Sequence, residues 1–181
     1  MPFAIEMFFE PACESRLRRL CSLLREGEHG NTVIINDVKA RPHITLACYD
    51  EVDERALLAT MSVFARKNTA LPVALASVGM FLGSENVLFL APAASEELTV
   101  TQRKWTEEAE VFSSTPWPLY APGRWVPHCT LAIRVPREGI LSMLGTLMDA
   151  TLPISGELVE LGACEFKDGK VLRYLDSYAL G

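Results

Sequence analysis

No stretch of the 181-residue chain approaches the roughly 18 consecutive apolar residues that a membrane span requires. A membrane partner is therefore not expected. A basic surplus is also missing: the formal net charge is −6. That argues against a protein that grips long DNA or RNA by neutralising phosphates. A small phosphate-bearing substrate, which needs only a local cluster of donors, remains compatible. The five cysteines (Cys13, Cys21, Cys48, Cys129, Cys164) never form a C-x-x-C pair. Neither a disulfide framework nor a zinc knuckle fits such spacing, and reduced thiols packed as small apolar side chains are expected. The N-terminus lacks the basic region of a signal peptide, and Glu6 interrupts its apolar stretch. A cytoplasmic location is the expectation. No Gly/Ser/Pro-rich linker divides the chain, so residues 1–181 are read as one domain, and a monomer is expected.

Histidine is scarce, with three in all, yet two of them sit in matching strings. Pro-His-Ile-Thr-Leu-Ala at Pro42 to Ala47 returns as Pro-His-Cys-Thr-Leu-Ala at Pro127 to Ala132. With a chance of about one in twenty per position, such a coincidence is of order one per cent in a chain of this length. A repeated histidine with a hydroxyl two residues later points to one active site built from two equivalent halves.

Hydrophobic periodicity places both strings on strands. Phe3 to Glu10 reads as a strand, followed by a helix from Cys13 to Glu28 with Leu17, Leu20, Cys21 and Leu24 on one face and a solvated arginine face opposite. Thr32 to Asn36 and Arg41 to Tyr49 are strands, the latter holding the first repeat. A helix over 53–68, strands over 71–82 and 86–91, and a helix capped by Ser95 come next. The irregular, proline-rich segment 113–127 leads into the second repeat strand, Trp125 to Val135. A helix over 137–150, with Ile140, Leu141, Leu144 and Met148 inward, precedes a hairpin turning at Asp168-Gly169, a type I′ signal. The order β-α-β-β-α-β-β-α-β-α-β-β implies an α+β fold. We expect a bilobal domain of two antiparallel β-sheets related by a pseudo-twofold axis and meeting at a central cleft, with helices packed outside.

Side chains alternate across a strand, so His43 and Thr45 share one face, roughly 7 Å apart, while Ile44 and Leu46 turn into a core. His128 and Thr130 pair likewise, with Cys129 and Leu131 inward. Two such strands brought together place two imidazoles and two hydroxyls around one pocket. Displacement at phosphorus needs a base on the nucleophile and an acid on the leaving oxygen. Histidine suits both tasks because its pKa lies near neutrality. The hydroxyls are suited to donating to the non-bridging oxygens, where negative charge sits. No metal or other cofactor is required, and a zinc site built on the two motif histidines lacks a third ligand at a workable spacing.

The strings His43-Ile44-Thr45-Leu46 and His128-Cys129-Thr130-Leu131 resemble the 2H phosphoesterase superfamily, named for its paired H-x-T/S-x motifs. The longer string from Tyr120 to Ala132 resembles the second-motif region of the 2′-5′ RNA ligase-like, cyclic phosphodiesterase branch. The resemblance implies a metal-independent phosphodiesterase acting on 2′,3′-cyclic nucleotides, ADP-ribose cyclic phosphate, or 2′-5′ or terminal RNA phosphodiesters. It makes His43 and His128 the acid–base pair and Thr45 and Thr130 the phosphate-binding hydroxyls. The partner implied is a small nucleotide or an RNA terminus. A non-catalytic module binding the same ligands, or a 2′-5′ RNA ligase running the reverse chemistry, are the alternatives. Near-twofold symmetry hides which histidine is the base.

Four further residues are candidates for substrate binding. Trp125 and Tyr120 precede the second motif and are placed either to stack on a nucleobase or to pin the loop by packing. Arg124 and Arg41 flank the motifs as potential bidentate phosphate donors, or as ordinary surface arginines. His29 has no repeat partner and reads as a solvated loop residue.

Overall fold

A computed structural model describes residues 1–25, 32–35, 40–112 and 116–181. Eight strands and four helices follow in the expected order: β1 Phe3–Phe9, α1 Pro11–Arg25, β2 Val33–Ile34, β3 His43–Tyr49, α2 Glu54–Lys67, β4 Leu71–Phe81, β5 Val87–Pro92, α3 Glu96–Glu108, β6 Cys129–Ile133, α4 Ile140–Met148, β7 Ile154–Lys167 and β8 Lys170–Ala179. His29 and the glycines after α1 lie outside the described residues.

The helices start where local chemistry predicts. Asp53 accepts the amide of Ala56 at the head of α2, and Ser95 Oγ accepts that of Leu98 at the head of α3. Helix α1 buries Leu17, Leu20, Cys21 and Leu24, the expected stripe. Helix α4 departs from expectation. It is preceded by a 3₁₀ turn over Arg137–Gly139, and it buries Met143 and Leu147 while Leu141 and Met148 are solvent-exposed. The segment is apolar at most positions, so periodicity alone does not choose its face. The 3₁₀ turn advances the chain by a different angle and sets another one. The second repeat strand is also shorter than expected, and His128 sits one residue before β6.

All strand pairs are antiparallel. The expected two sheets are hydrogen-bonded into one path, β2-β6-β5-β4-β7-β1-β3, with β8 added on β7. The link is β7. Its first residues pair with β4, from Leu71↔Leu158 to Leu75↔Ile154, and the remainder pairs with β8 on the same flank. Strand β1 runs along its other flank, from Phe3↔Glu165 to Phe9↔Leu158. The path curls until β3, at one end, lies against β6, near the other. That closure brings the two motif strands together although most of the sheet separates them in pairing order.

The β7–β8 turn has Asp168 and Gly169 both at positive φ (52° and 74°), as the I′ turn demands. A large core unites both halves, from Ile5, Met7 and Phe9 of β1 to Leu131, Leu158 and Leu161. All five cysteines are buried and free. Within β7, Gly162 is a notch: an added Cβ meets the Phe8 ring at 2.3 Å. Gly162→Ala is therefore expected to overpack the β1–β7 contact and destabilise the fold by about 1–3 kcal/mol, read from urea unfolding.

Candidate active site

The two motifs meet at one cavity of about 470 Å³, lined by His43, Thr45, His128 and Thr130. The inward neighbours Ile44, Leu46, Cys129 and Leu131 are buried, so alternation along each strand is as predicted.

Each histidine is held in the same local way. His43 Nδ1 lies 2.6 Å from the carbonyl oxygen of Arg41, and His128 Nδ1 lies 2.7 Å from that of Val126. A carbonyl only accepts, so Nδ1 carries the hydrogen in both rings and Nε2 is left for chemistry. In both cases the acceptor is two residues back, across the proline. The repeated Pro-His thus encodes ring orientation as well as strand entry.

Beyond Nδ1 the halves differ. The half-buried His128 packs edge-on to Phe81, with ring centres 4.8 Å apart, and tilted against Phe89 at 5.2 Å. Burial lowers its pKa below the ordinary histidine value, the Val126 carbonyl opposes that, and His43 adds a smaller lowering. His43 has a carboxyl as neighbour: its Nε2 is 3.4 Å from Oε1 of Glu6, on β1. Glu6 stands opposite Thr45 in the β1–β3 register and is buried. Burial pushes its pKa up, against lowering by His43, a Cys164 hydrogen bond and Arg41. Sequence reasoning did not place Glu6 in the site. Its one signal was a lone charge inside an otherwise apolar strand. Phe81 and Phe89 were missed as well, because nothing local distinguishes them from core phenylalanines.

Strand β3 ends the pairing path, and the segment before the second motif clasps it. The Trp117 amide donates to the Cys48 carbonyl at 2.8 Å, and Trp125 Nε1 to the Thr45 carbonyl at 2.9 Å. Buried Gln102 ties in α3, donating to the carbonyls of Tyr120 at 2.7 Å and Leu46 at 3.4 Å. Trp125 and Tyr120 both pack on the core, the pinning role weighed for them, and both also line the cavity. The Tyr120 phenol interacts with Cys48 and Thr45, and burial raises its pKa.

The flanking arginines separate. Arg124 lines the cavity. Arg41 does not: its guanidinium bonds Glu160 at 2.9 Å and Glu14 at 3.2 Å, over the Phe8 ring at 4.0 Å. Of the two readings open for Arg41, the contacts favour the structural one, because two carboxylates engage its guanidinium. Lys170 is the other cation on the cavity wall among the described residues.

The sequence model of the 2′-5′ RNA ligase superfamily matches residues 35–169, a span that contains both motifs. The chain belongs to that superfamily. Solved structures agree with this superfamily assignment at the level of fold. LigT of E. coli, complexed with 3′-AMP, is 18% identical with a TM-score of 0.62, covering 98% of this chain and 96% of its own. TT0787 of Thermus thermophilus is 16% identical with a TM-score of 0.62, covering 99% and 98%. Usb1 of Kluyveromyces marxianus, with uridine monophosphate, is 14% identical with a TM-score of 0.52, covering 99% and 96%. No curated protein is significantly similar in sequence.

Because aromatic rings withdraw water from His128, Phe89→Ala is expected to move its titration upward, toward the ordinary histidine value. Imidazole NMR shifts followed against pH measure this directly. An unmoved curve would refute the desolvation account.

Proposed function

We propose that this superfamily member is a metal-independent phosphodiesterase acting on 2′,3′-cyclic nucleotides or on 2′-5′ or terminal RNA phosphodiesters. His43 and His128 form its acid–base pair, and Thr45 and Thr130 bind the phosphate. The observation that carries this reading is the matched pair of Nδ1-to-carbonyl contacts, which commit both Nε2 atoms to one cavity.

Each step follows from those groups. One Nε2, unprotonated, takes a proton from the attacking water. The other, protonated, gives one to the departing ribose oxygen. The threonine hydroxyls donate to the non-bridging oxygens as charge moves onto them. Cavity size and composition favour a small substrate or a chain end. About 470 Å³ falls within the range of small-molecule pockets, and its wall is mostly apolar and aromatic. Trp125 and Trp117 offer faces to a base, and Arg124 and Lys170 offer charge to phosphate. The LigT and Usb1 structures complexed with nucleotides support the same class of ligand.

Hydrolysis of a 2′,3′-cyclic nucleotide is expected to persist in excess chelator. His43→Ala and His128→Ala should each lower kcat by roughly 10²–10⁴. Thr45→Val and Thr130→Val should each cost roughly 10²–10³. Steady-state assays with phosphorus NMR of the product phosphate test all four. Activity abolished by chelator, or surviving both histidine substitutions, overturns the reading. Thermal stabilisation by nucleotides without turnover would indicate a binding module, and joining to a 5′-hydroxyl acceptor would indicate a ligase.

A further inference from the structure

The two halves hold their histidines alike at Nδ1 and differ in what surrounds the rest of the ring. His128 has two phenylalanine rings, and His43 has the Glu6 carboxyl at 3.4 Å. We propose that Glu6 and His43 hold one proton between them, so that this pair is the proton donor to the leaving oxygen and His128 is the base. The assignment of roles rests on the phosphodiesterase reading above; the shared proton does not.

Glu6 is 3% exposed and lines the cavity beside His43. Its Oε1 takes a thiol hydrogen bond from Cys164 at 3.4 Å, and its Oε2 is buried without a partner among the described residues. A carboxylate so placed is costly unless a cation or a proton compensates it. The cation within reach is a protonated His43. Should the proton sit on the carboxyl instead, the Nε2 lone pair is the acceptor beside it. One proton satisfies both groups in either arrangement, and the upward push of burial on Glu6 favours its retention. Because Nδ1 is fixed by the Arg41 carbonyl, Nε2 is the only nitrogen through which it passes.

The remaining titratable groups near the pair do not compete. Cys48, Cys164 and Tyr120, and Tyr174 on β8, are all pushed upward by burial and stay neutral at neutral pH. The Arg41 guanidinium is engaged by Glu14 and Glu160. His128 lines the same cavity from the other motif, where burial lowers its pKa and favours an Nε2 free to accept. In turnover, His128 Nε2 removes a proton from water as the new P–O bond forms. The bond to the ribose oxygen breaks, and that oxygen receives the proton of the Glu6–His43 pair. The proton left on His128 returns to the pair through solvent.

Two measurements test this, with Glu6→Gln as the isosteric variant that keeps an acceptor for Cys164. In the substrate-free protein, the His43 imidazole titration followed by NMR should show two coupled steps, reduced to one in Glu6→Gln, while the His128 curve stays a single step in both. A single step in both proteins overturns the shared proton, whatever the enzyme's activity. The second compares a cyclic nucleotide with a nitrophenyl phosphodiester, whose leaving group departs without a proton. The losses in Glu6→Gln and His43→Ala should be at least tenfold smaller on the aryl ester, whereas His128→Ala should lose equally on both. The opposite pattern in the two histidine variants, which do not alter Glu6, reverses the roles and refutes the assignment. If the wild type turns over neither ester nor a 2′-5′ or 3′-terminal RNA phosphodiester, the phosphodiesterase reading fails, and the titration still decides the proton.

Discussion

A carbonyl oxygen accepts hydrogen bonds and never donates them, and that elementary asymmetry governs this site. The carbonyls of Arg41 and Val126 each face the Nδ1 of the histidine two residues on. Each therefore fixes a tautomer, points a ring and frees an Nε2. The intervening proline holds the carbonyl in place by restricting φ. The threonine hydroxyls and the aromatic wall line the same cavity as the two rings so held.

Symmetry gives the protein two copies of this device, and the surroundings make them unequal. Around His128 the sheet supplies Phe81 and Phe89, from the β4–β5 hairpin. Around His43 it supplies Glu6, from β1. A base and an acid need different proton affinities, and low polarity on one side with a carboxyl on the other is a direct way to separate them. The clasp across β3 keeps this arrangement in register. Trp117, Trp125 and Gln102 all donate to carbonyls of that strand or of the segment covering it.

Much of this was legible in the sequence, for identifiable reasons. Strand alternation placed His43 with Thr45 and His128 with Thr130 on the cavity side, because a period of two leaves no choice once one face is buried. The Ser95 cap marked α3, and Asp168-Gly169 marked the β7–β8 hairpin. The misses are equally physical. Helix α4 is apolar at most positions, so its pattern does not select Met143 and Leu147 over Leu141 and Met148. Arg41 was read by its distance from the motif, whereas Glu14 and Glu160, remote in sequence, claim its guanidinium. Glu6 enters the site through the pairing of β1 with β3, a long-range contact that no local window contains.

Strand β7 carries a further implication. It is the sole hydrogen-bonded bridge between the group β2, β4, β5, β6 and the group β1, β3 among the described strands. A nascent chain that has emerged as far as α4 already carries both motifs, yet no ladder joins the strands that bear them. Such non-local pairing is slow to form and completes late. Assembly of the cleft thus waits on β7, and translation must pass Lys167 before both imidazoles can line one cavity.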